Sequence, residues 1–208
     1  MDFFGNLAHQ ITLLAINEQT GRVRNRGQLK LAAAGATLAE LAMQERVSLV
    51  DKKVQVHDAR PIGDPLLDAM LRVLGTHPAH RPARIIQAGG GFYLDQSLED
   101  MTRSGWLVKT PARGLGGDRY RILNAQELST ARELAATAIG DPAGVTSRAA
   151  CLGGLALELQ FGKWLAPEAG WRQRWRSQRV LQQRDWVVKA VHDIIASQQS
   201  ATTAAISS

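Results

Sequence analysis

The feature that most constrains the fold is the stretch 29–43, in which Ala, Gly and Leu dominate and Lys30 and Glu40 are the only charged residues. A helix that is apolar around almost its whole circumference must be surrounded by other helices. Small side chains let those neighbouring helices approach closely. The stretch therefore predicts the central helix of an α-helical bundle.

The residues that follow predict a hairpin and a sharply capped helix. Residues 46–56 form two short alternating runs around a polar turn, the pattern of a β-hairpin. Asp64 occupies an N-cap position, Pro65 the first helical position and Asp68 the first turn. We interpret this carboxylate pair as helix capping rather than acid–base chemistry, because no second acidic cluster accompanies it.

The rest of the chain continues the helical pattern. Gly89-Gly90-Gly91 predicts a hinge or a helix stop, the Gly153-Gly154 pair predicts close helix packing, and Asp185 predicts a cap after a break. In chain order, the remaining predictions are helices at 83–88, 94–104, 128–139, 146–164 and 171–196, with a hairpin at 106–123. The predicted fold is mainly α: a single compact helical-bundle domain over 1–196 with two short β-hairpins, one projecting, and a disordered tail at 197–208.

Composition limits the classes of function. The one cysteine, Cys151, lies in an apolar setting, which predicts a buried thiol, excludes an internal disulfide and suits a reducing compartment. No apolar run approaches the roughly 20 residues that span a bilayer, so we expect a cytoplasmic protein. No nucleophile, metal-ligand or phosphate-loop motif stands in a recognisable context, so we expect no enzyme, no cofactor and no metal.

The positive charge is local. The net charge is +6, and between Trp171 and Lys189 there are six basic residues and one acidic residue. On a helical wheel Trp171 and Trp175 lie beside Arg172 and Arg179, an arrangement that suits a membrane interface. The alternative, that each Trp packs on its own neighbours, stays open for these two and is favoured for Trp186.

A second functional class is also compatible with the sequence. The helix and hairpin at 94–123 resemble the end of a winged-helix domain, with Arg113, Arg119 and Arg121 on the wing. The preceding helical segment lacks a basic face, because its arginines are offset by acidic residues. A DNA-binding regulator is therefore the alternative to a membrane protein.

Three stretches, 13–21, 35–49 and 61–71, together resemble the Golgi phosphoprotein 3 family, in its bacterial type. The resemblance implies a non-enzymatic peripheral membrane adaptor that binds phosphatidylinositol 4-phosphate and a protein cargo. It also implies a projecting hairpin used for homo-oligomerisation. The corresponding hairpin residues in this chain are Trp106, Leu107, Tyr120 and Ile122.

The resemblance further implies where a lipid head group would bind. The family uses a Trp and three Arg at positions that correspond to Asn25, Ala34, Gly91 and Leu94, and none of the four matches. Nearby basic residues can still attract an anionic phospholipid or phosphoinositide surface. The lipid-binding residues that we predict are Arg22, Arg24, Arg26, Trp171, Arg172 and Trp175.

Overall fold

A computed structural model of the chain describes residues 5–76, 80–111 and 117–206. In these ranges the chain is mainly helical, with two antiparallel two-stranded hairpins, as the sequence predicts. The elements are α1 (Leu7–Ala15), α2 (Arg26–Met43), β1 (Val47–Val50), β2 (Lys53–Val56), α3 (Pro65–Thr76), α4 (Pro82–Arg103), β3 (Leu107–Thr110), β4 (Arg119–Ile122), α5 (Ala125–Gly140), α6 (Ser147–Glu158), α7 (Gly162–Leu165), α8 (Trp171–Arg184) and α9 (Trp186–Ile206).

The predicted central helix is α2. Every residue from Leu31 to Leu41 is buried, and α2 packs against α1, α3, α4, α6 and α9. A Cβ atom at Gly35 would lie 2.7 Å from Cγ2 of Val191 on α9, which is too close for any real contact. The small residues of α2 are therefore what allows its neighbours to surround it.

The predicted helix stop at Gly89-Gly90-Gly91 is wrong, because α4 runs through all three glycines as one helix. The reason is packing against α2. A Cβ atom at Gly90 would lie 3.0 Å from the carbonyl oxygen of Lys30. The contact with α2 compensates for the low helix propensity of glycine, which a local pattern cannot register.

The predicted capping of α3 is confirmed. Oδ1 of Asp64 accepts hydrogen bonds from the backbone N–H groups of Leu66 (2.9 Å) and Leu67 (3.1 Å). Asp68 turns back to the preceding loop, where its carboxylate accepts from the N–H groups of Ile62 (2.6 Å) and Gly63 (3.1 Å). These two carboxylates therefore fix the start of the helix.

The glycine pair of α6 lets two different helices approach. A Cβ atom at Gly153 would lie 2.6 Å from Cβ of Ala138 on α5, and one at Gly154 would lie 2.7 Å from Cγ1 of Val188 on α9. The predicted helix 146–164 is too long, because α6 ends at Glu158 and Gln160 takes a left-handed φ of +63°. The short α7 follows after this reversal.

The predicted break between the last two helices is confirmed, and Asp185 caps the second of them. Its Oδ1 accepts from the N–H groups of Val187 (2.8 Å) and Val188 (3.1 Å). Helix α9 then continues to Ile206, so residues 197–206 form its last turns rather than coil. Helix propensity in this Ala- and Gln-containing segment outweighs its polar composition. The division of the chain at residue 196 stays a prediction.

The second hairpin packs one face onto the helices. Leu107 pairs with Ile122 and Lys109 with Tyr120, and the N–H of Tyr120 donates to the carbonyl of Gly21 at 2.8 Å. Leu107 and Tyr120 are buried, and Trp106 and Ile122 pack against the core. Three of the four residues predicted for oligomerisation, Leu107, Tyr120 and Ile122, thus lie on the inner face of the hairpin, and Trp106 packs against the core just before β3. Arg113 lies outside the described residues.

Candidate functional site

Helix α8 lies on the bundle with one face buried. It begins at Trp171, directly after Gly170 in extended conformation, and carries no acidic residue. On the inner face Leu181 is fully buried and the Oγ of Ser177 donates to the carbonyl of Ile139 at 2.8 Å. The opposite face is left to solvent.

The exposed face of α8 presents two tryptophans one turn apart. Trp171 is 70% exposed and Trp175 is 54% exposed. The guanidinium of Arg172 lies 5.4 Å from the ring centre of Trp171, and that of Arg179 lies 5.0 Å from the ring centre of Trp175. We call this surface the Trp/Arg face, which consists of Trp171, Arg172, Trp175 and Arg176, together with Arg179, which stacks on Trp175.

The arginines of α8 divide into two groups. Arg174 donates to the carbonyl of Ala169, and Arg184 donates to backbone carbonyls of the loop between α5 and α6. The other three, Arg172, Arg176 and Arg179, have no carboxylate within ion-pair distance in the described parts of the chain. Their charges are therefore available to an external anion. Arg176 was not among the predicted residues, although it follows Arg172 by one helical turn.

A buried carboxylate fixes α8 to the bundle. Glu158, at the end of α6, accepts hydrogen bonds from Nε2 of Gln178 (2.9 Å) and Nε2 of Gln182 (2.8 Å). Its second oxygen lies 3.0 Å from Nδ1 of His192 on α9. The orientation of α8 is thus set by its side chains as well as by apolar packing, so the Trp/Arg face is held outward.

The other predicted lipid-binding residues, Arg22, Arg24 and Arg26 around the start of α2, are less available to an external anion. Arg26 forms an ion pair with Asp95 (Nη2 to Oδ1, 2.6 Å), and the Arg24 guanidinium lies 5.5 Å from the ring centre of Trp164. Only Arg22 of the three has no side-chain partner in the residues that the structure describes. No described contact joins this cluster to the Trp/Arg face. The structure therefore divides the six predicted lipid-binding residues into two separate groups.

The four positions at which the sequence resemblance implies a head-group site provide no cation. Ala34 and Leu94 are fully buried, and the side-chain amide of Asn25 donates to the carbonyl of Leu159 at 2.8 Å. Gly91, in α4, has no side chain, and nothing lies within 4 Å of the position of an added Cβ atom there. The four residues at these positions therefore offer no positive charge to a phosphate group.

The alternative of DNA binding gains no support from the structure. Arg119 and Arg121 are exposed on β4, but the exposed side of α4 carries Asp95 and Glu99, and Arg103 is paired with Asp100 at 2.9 Å. A recognition helix needs a free basic face to enter the major groove. The described part of α4 has none.

No group of His, Cys, Asp and Glu residues in the described ranges could hold a metal ion. Cys151 is fully buried, and burial raises the pKa of its thiol well above the ordinary value. Across the same ranges no helix is both long and apolar enough to cross a bilayer.

These features define a mainly helical bundle domain that presents an aromatic and basic surface. The family model described as Golgi phosphoprotein 3 (GPP34) matches residues 7–198, which is almost the whole chain. The chain therefore belongs to the Golgi phosphoprotein 3 family. A search of curated proteins found no match.

Proposed function

We propose that this protein is a non-enzymatic peripheral membrane adaptor that binds anionic phospholipid through the Trp/Arg face of α8. Two exposed tryptophans beside three arginines without carboxylate partners are the observation that carries the proposal. Tryptophan side chains favour the interface between lipid head groups and acyl chains, and arginine attracts anionic head groups. Membership of the Golgi phosphoprotein 3 family supports the same class of function.

Recognition in this proposal depends on charge and aromatic insertion rather than on a stereospecific head-group pocket. The buried Ala34 and Leu94 support this choice, because the resemblance implies arginine at these two positions. Arg22 contributes to the same anionic attraction from the loop before α2. Phosphatidylinositol 4-phosphate is one anionic ligand within this class, and the bound protein acts in the cytoplasm at a membrane surface.

The test is flotation with vesicles of phosphatidylcholine alone, with added phosphatidylserine, and with added phosphatidylinositol 4-phosphate. We expect the protein to float with both anionic compositions and to remain unbound with neutral vesicles. The double variant W171A/W175A should lose binding. A matched control is Phe92→Ala, which removes an exposed aromatic side chain from α4.

The results separate the proposal from its alternatives. Equal flotation with neutral and anionic vesicles, or full binding by the double Trp variant, would contradict it. Binding to phosphatidylinositol 4-phosphate alone would place recognition in a specific pocket instead of on the Trp/Arg face. A protein cargo and self-association remain parts of the adaptor role, and the exposed side of the β3–β4 hairpin, where Val108 lies, is the available surface for the latter.

A further inference from the structure

The outer side of α4 exposes a large aromatic side chain. Phe92 is 51% exposed, and its ring lies edge-on to that of Tyr93, with 5.2 Å between the ring centres. Ala88, one turn earlier, is also exposed, and a Cβ atom added at Gly91 would meet nothing within 4 Å. The surface beside Phe92 is therefore low, and a second helix can approach it closely.

Phe92 belongs to one stripe of outward residues, because positions three and four apart lie on the same side of an α-helix. We call this stripe the α4 face, which consists of Arg84, Ala88, Gly91, Phe92, Asp95 and Glu99. All of them are exposed except Gly91, which is half-buried. Asp95 already forms an ion pair with Arg26 at 2.6 Å. The stripe extends for about 22 Å along the helix, at the usual rise per residue.

The two ends of the α4 face carry opposite charges that form no ion pair within the described ranges. Arg84 has no carboxylate within ion-pair distance there, and Glu99 has no cation within that distance. Lys109 lines a small cleft together with Glu99 but pairs with Asp118 at 2.8 Å. Arg84 and Glu99 are therefore both available to an external partner.

The placement of these two charges is unfavourable for α4 on its own. Arg84 lies in the first turn, which holds no acidic residue, and Glu99 lies one turn before the last helical residue, Arg103. A helix carries partial positive charge at its N-terminus and partial negative charge at its C-terminus, so each side chain is repelled by the nearer end. A second helix that runs in the opposite direction reverses both interactions.

The α4 face is complementary to itself in an antiparallel arrangement. Arg84 comes seven residues before Gly91, and Glu99 comes seven residues after Phe92. When two copies pair about a two-fold axis that passes between Gly91 and Phe92, Arg84 of each copy lies opposite Glu99 of the other. The two Phe92 rings then meet beside the axis. Such a two-fold interface uses the same patch on both subunits, which requires a self-complementary surface.

We propose that two copies of this chain associate through the α4 face, antiparallel, with Phe92 at the centre and two Arg84–Glu99 ion pairs at the ends. The residues differ from those of the Trp/Arg face, so the association does not depend on membrane binding by α8. One helix face is a small interface, and we expect a weak dimer with a Kd of about 10–100 μM.

The test is sedimentation equilibrium of the full chain without lipid, across a concentration series that spans this Kd. Arg84→Glu and Glu99→Arg each bring like charges together at both ends of the pair. Each variant alone should dimerise about tenfold or more weakly. Both substitutions improve the match between side-chain charge and helix dipole, so the variants should remain folded.

An equimolar mixture of R84E and E99R should regain dimerisation, because each contact in a mixed pair combines Glu with Arg. Arg121→Glu, which makes the same charge change on the exposed side of β4, is the matched control and should dimerise normally. A chain that stays monomeric throughout the series, or a mixture no better than its components, would overturn the proposal. Dimers lost in R121E but kept in R84E would assign self-association to the β3–β4 hairpin and would overturn it too.

Discussion

Gly90 of α4 lies directly against the backbone of Lys30 in α2, where an added Cβ atom would be 3.0 Å from the Lys30 carbonyl oxygen. A backbone oxygen cannot move aside as a flexible side chain can. Gly91, the next residue, has nothing within 4 Å of the corresponding position. Two adjacent glycines in one helix therefore experience opposite constraints.

The first prediction follows from this pair. Gly90→Ala should lower the free energy of unfolding by about 1–3 kcal/mol, because α2 and α4 must separate to admit the methyl group. Gly91→Ala should raise it by about 0.5–1 kcal/mol, because alanine is the better helix former. Urea denaturation of both variants is the measurement. Equal effects of the two substitutions would contradict the close approach of these helices.

The second prediction concerns pH and Asp185. Burial raises the pKa of this carboxyl, although the N–H groups of Val188 and Val187 act in the opposite direction. The folded state therefore holds the proton more strongly than the unfolded chain. Its contribution to stability is fully present below the unfolded pKa and is lost as pH rises through the raised folded pKa.

Asp185→Asn removes this dependence while keeping the cap, because asparagine is an equally good N-cap residue. The variant should gain stability relative to the unmodified protein as pH rises from about 4, near the ordinary Asp pKa. Asp185→Ala should lose about 0.5–2 kcal/mol of capping energy. Asp193→Asn, which changes an exposed ion pair of α9, is the control. A stability difference that does not change between pH 3.5 and 7 would argue against the shifted pKa.

The third prediction concerns Cys151. Its thiol is buried and lies beside the Asp185 carboxylate, and both burial and that charge raise its pKa. Because only the thiolate reacts readily, the native protein should react with an aromatic disulfide reagent only as fast as it opens. The chain has a single cysteine, so the absorbance change reports this site alone. Rapid reaction of the native protein at neutral pH would show that the thiol is accessible.

The fourth prediction quantifies the Trp/Arg face. Replacing Arg172, Arg176 and Arg179 by Gln should weaken binding to anionic vesicles about 100-fold, since each basic residue near such a membrane contributes about 1 kcal/mol. The attraction should also weaken as added salt shortens the screening length from about 8 Å at physiological ionic strength to about 3 Å at 1 M. Vesicle sedimentation across a salt series measures both effects.

A triple variant with the same loss of charge elsewhere is the control. Three exposed arginines can be changed to Gln together: Arg72 on α3, Arg81 directly before α4 and Arg84 on α4. This variant should retain most of its vesicle affinity. Equal losses in the two triple variants would mean that net charge, and not the position of the arginines on α8, governs binding.

Local chemistry made much of the fold predictable. Asp64 and Asp185 act as helix caps where the sequence places them, because a cap depends on residues within three positions of it. The prediction of a helix stop at Gly89-Gly90-Gly91 is wrong because the packing of Gly90 depends on Lys30, which is distant in sequence.

The Trp/Arg face was partly predictable for a different reason. The spacing of Trp171 and Trp175 on a helix is a local property, so their common side could be read from the sequence. Whether that side faces solvent depends on how Glu158, Gln178 and Gln182 orient the helix, which requires the packed structure. The packing of Trp186 against the core, the favoured alternative for that residue, is confirmed.

The glycine pair of α6 restricts which substitutions this sequence can accept. Gly153 faces α5 and Gly154 faces α9, so a larger side chain at either position meets a different neighbour. A change at Gly153 must be matched near Ala138, and a change at Gly154 must be matched near Val188. Substitutions at the two glycines should therefore be accepted only with a matching change at Ala138 or Val188, whereas the solvent-facing side of α8 can exchange residues without disturbing the bundle.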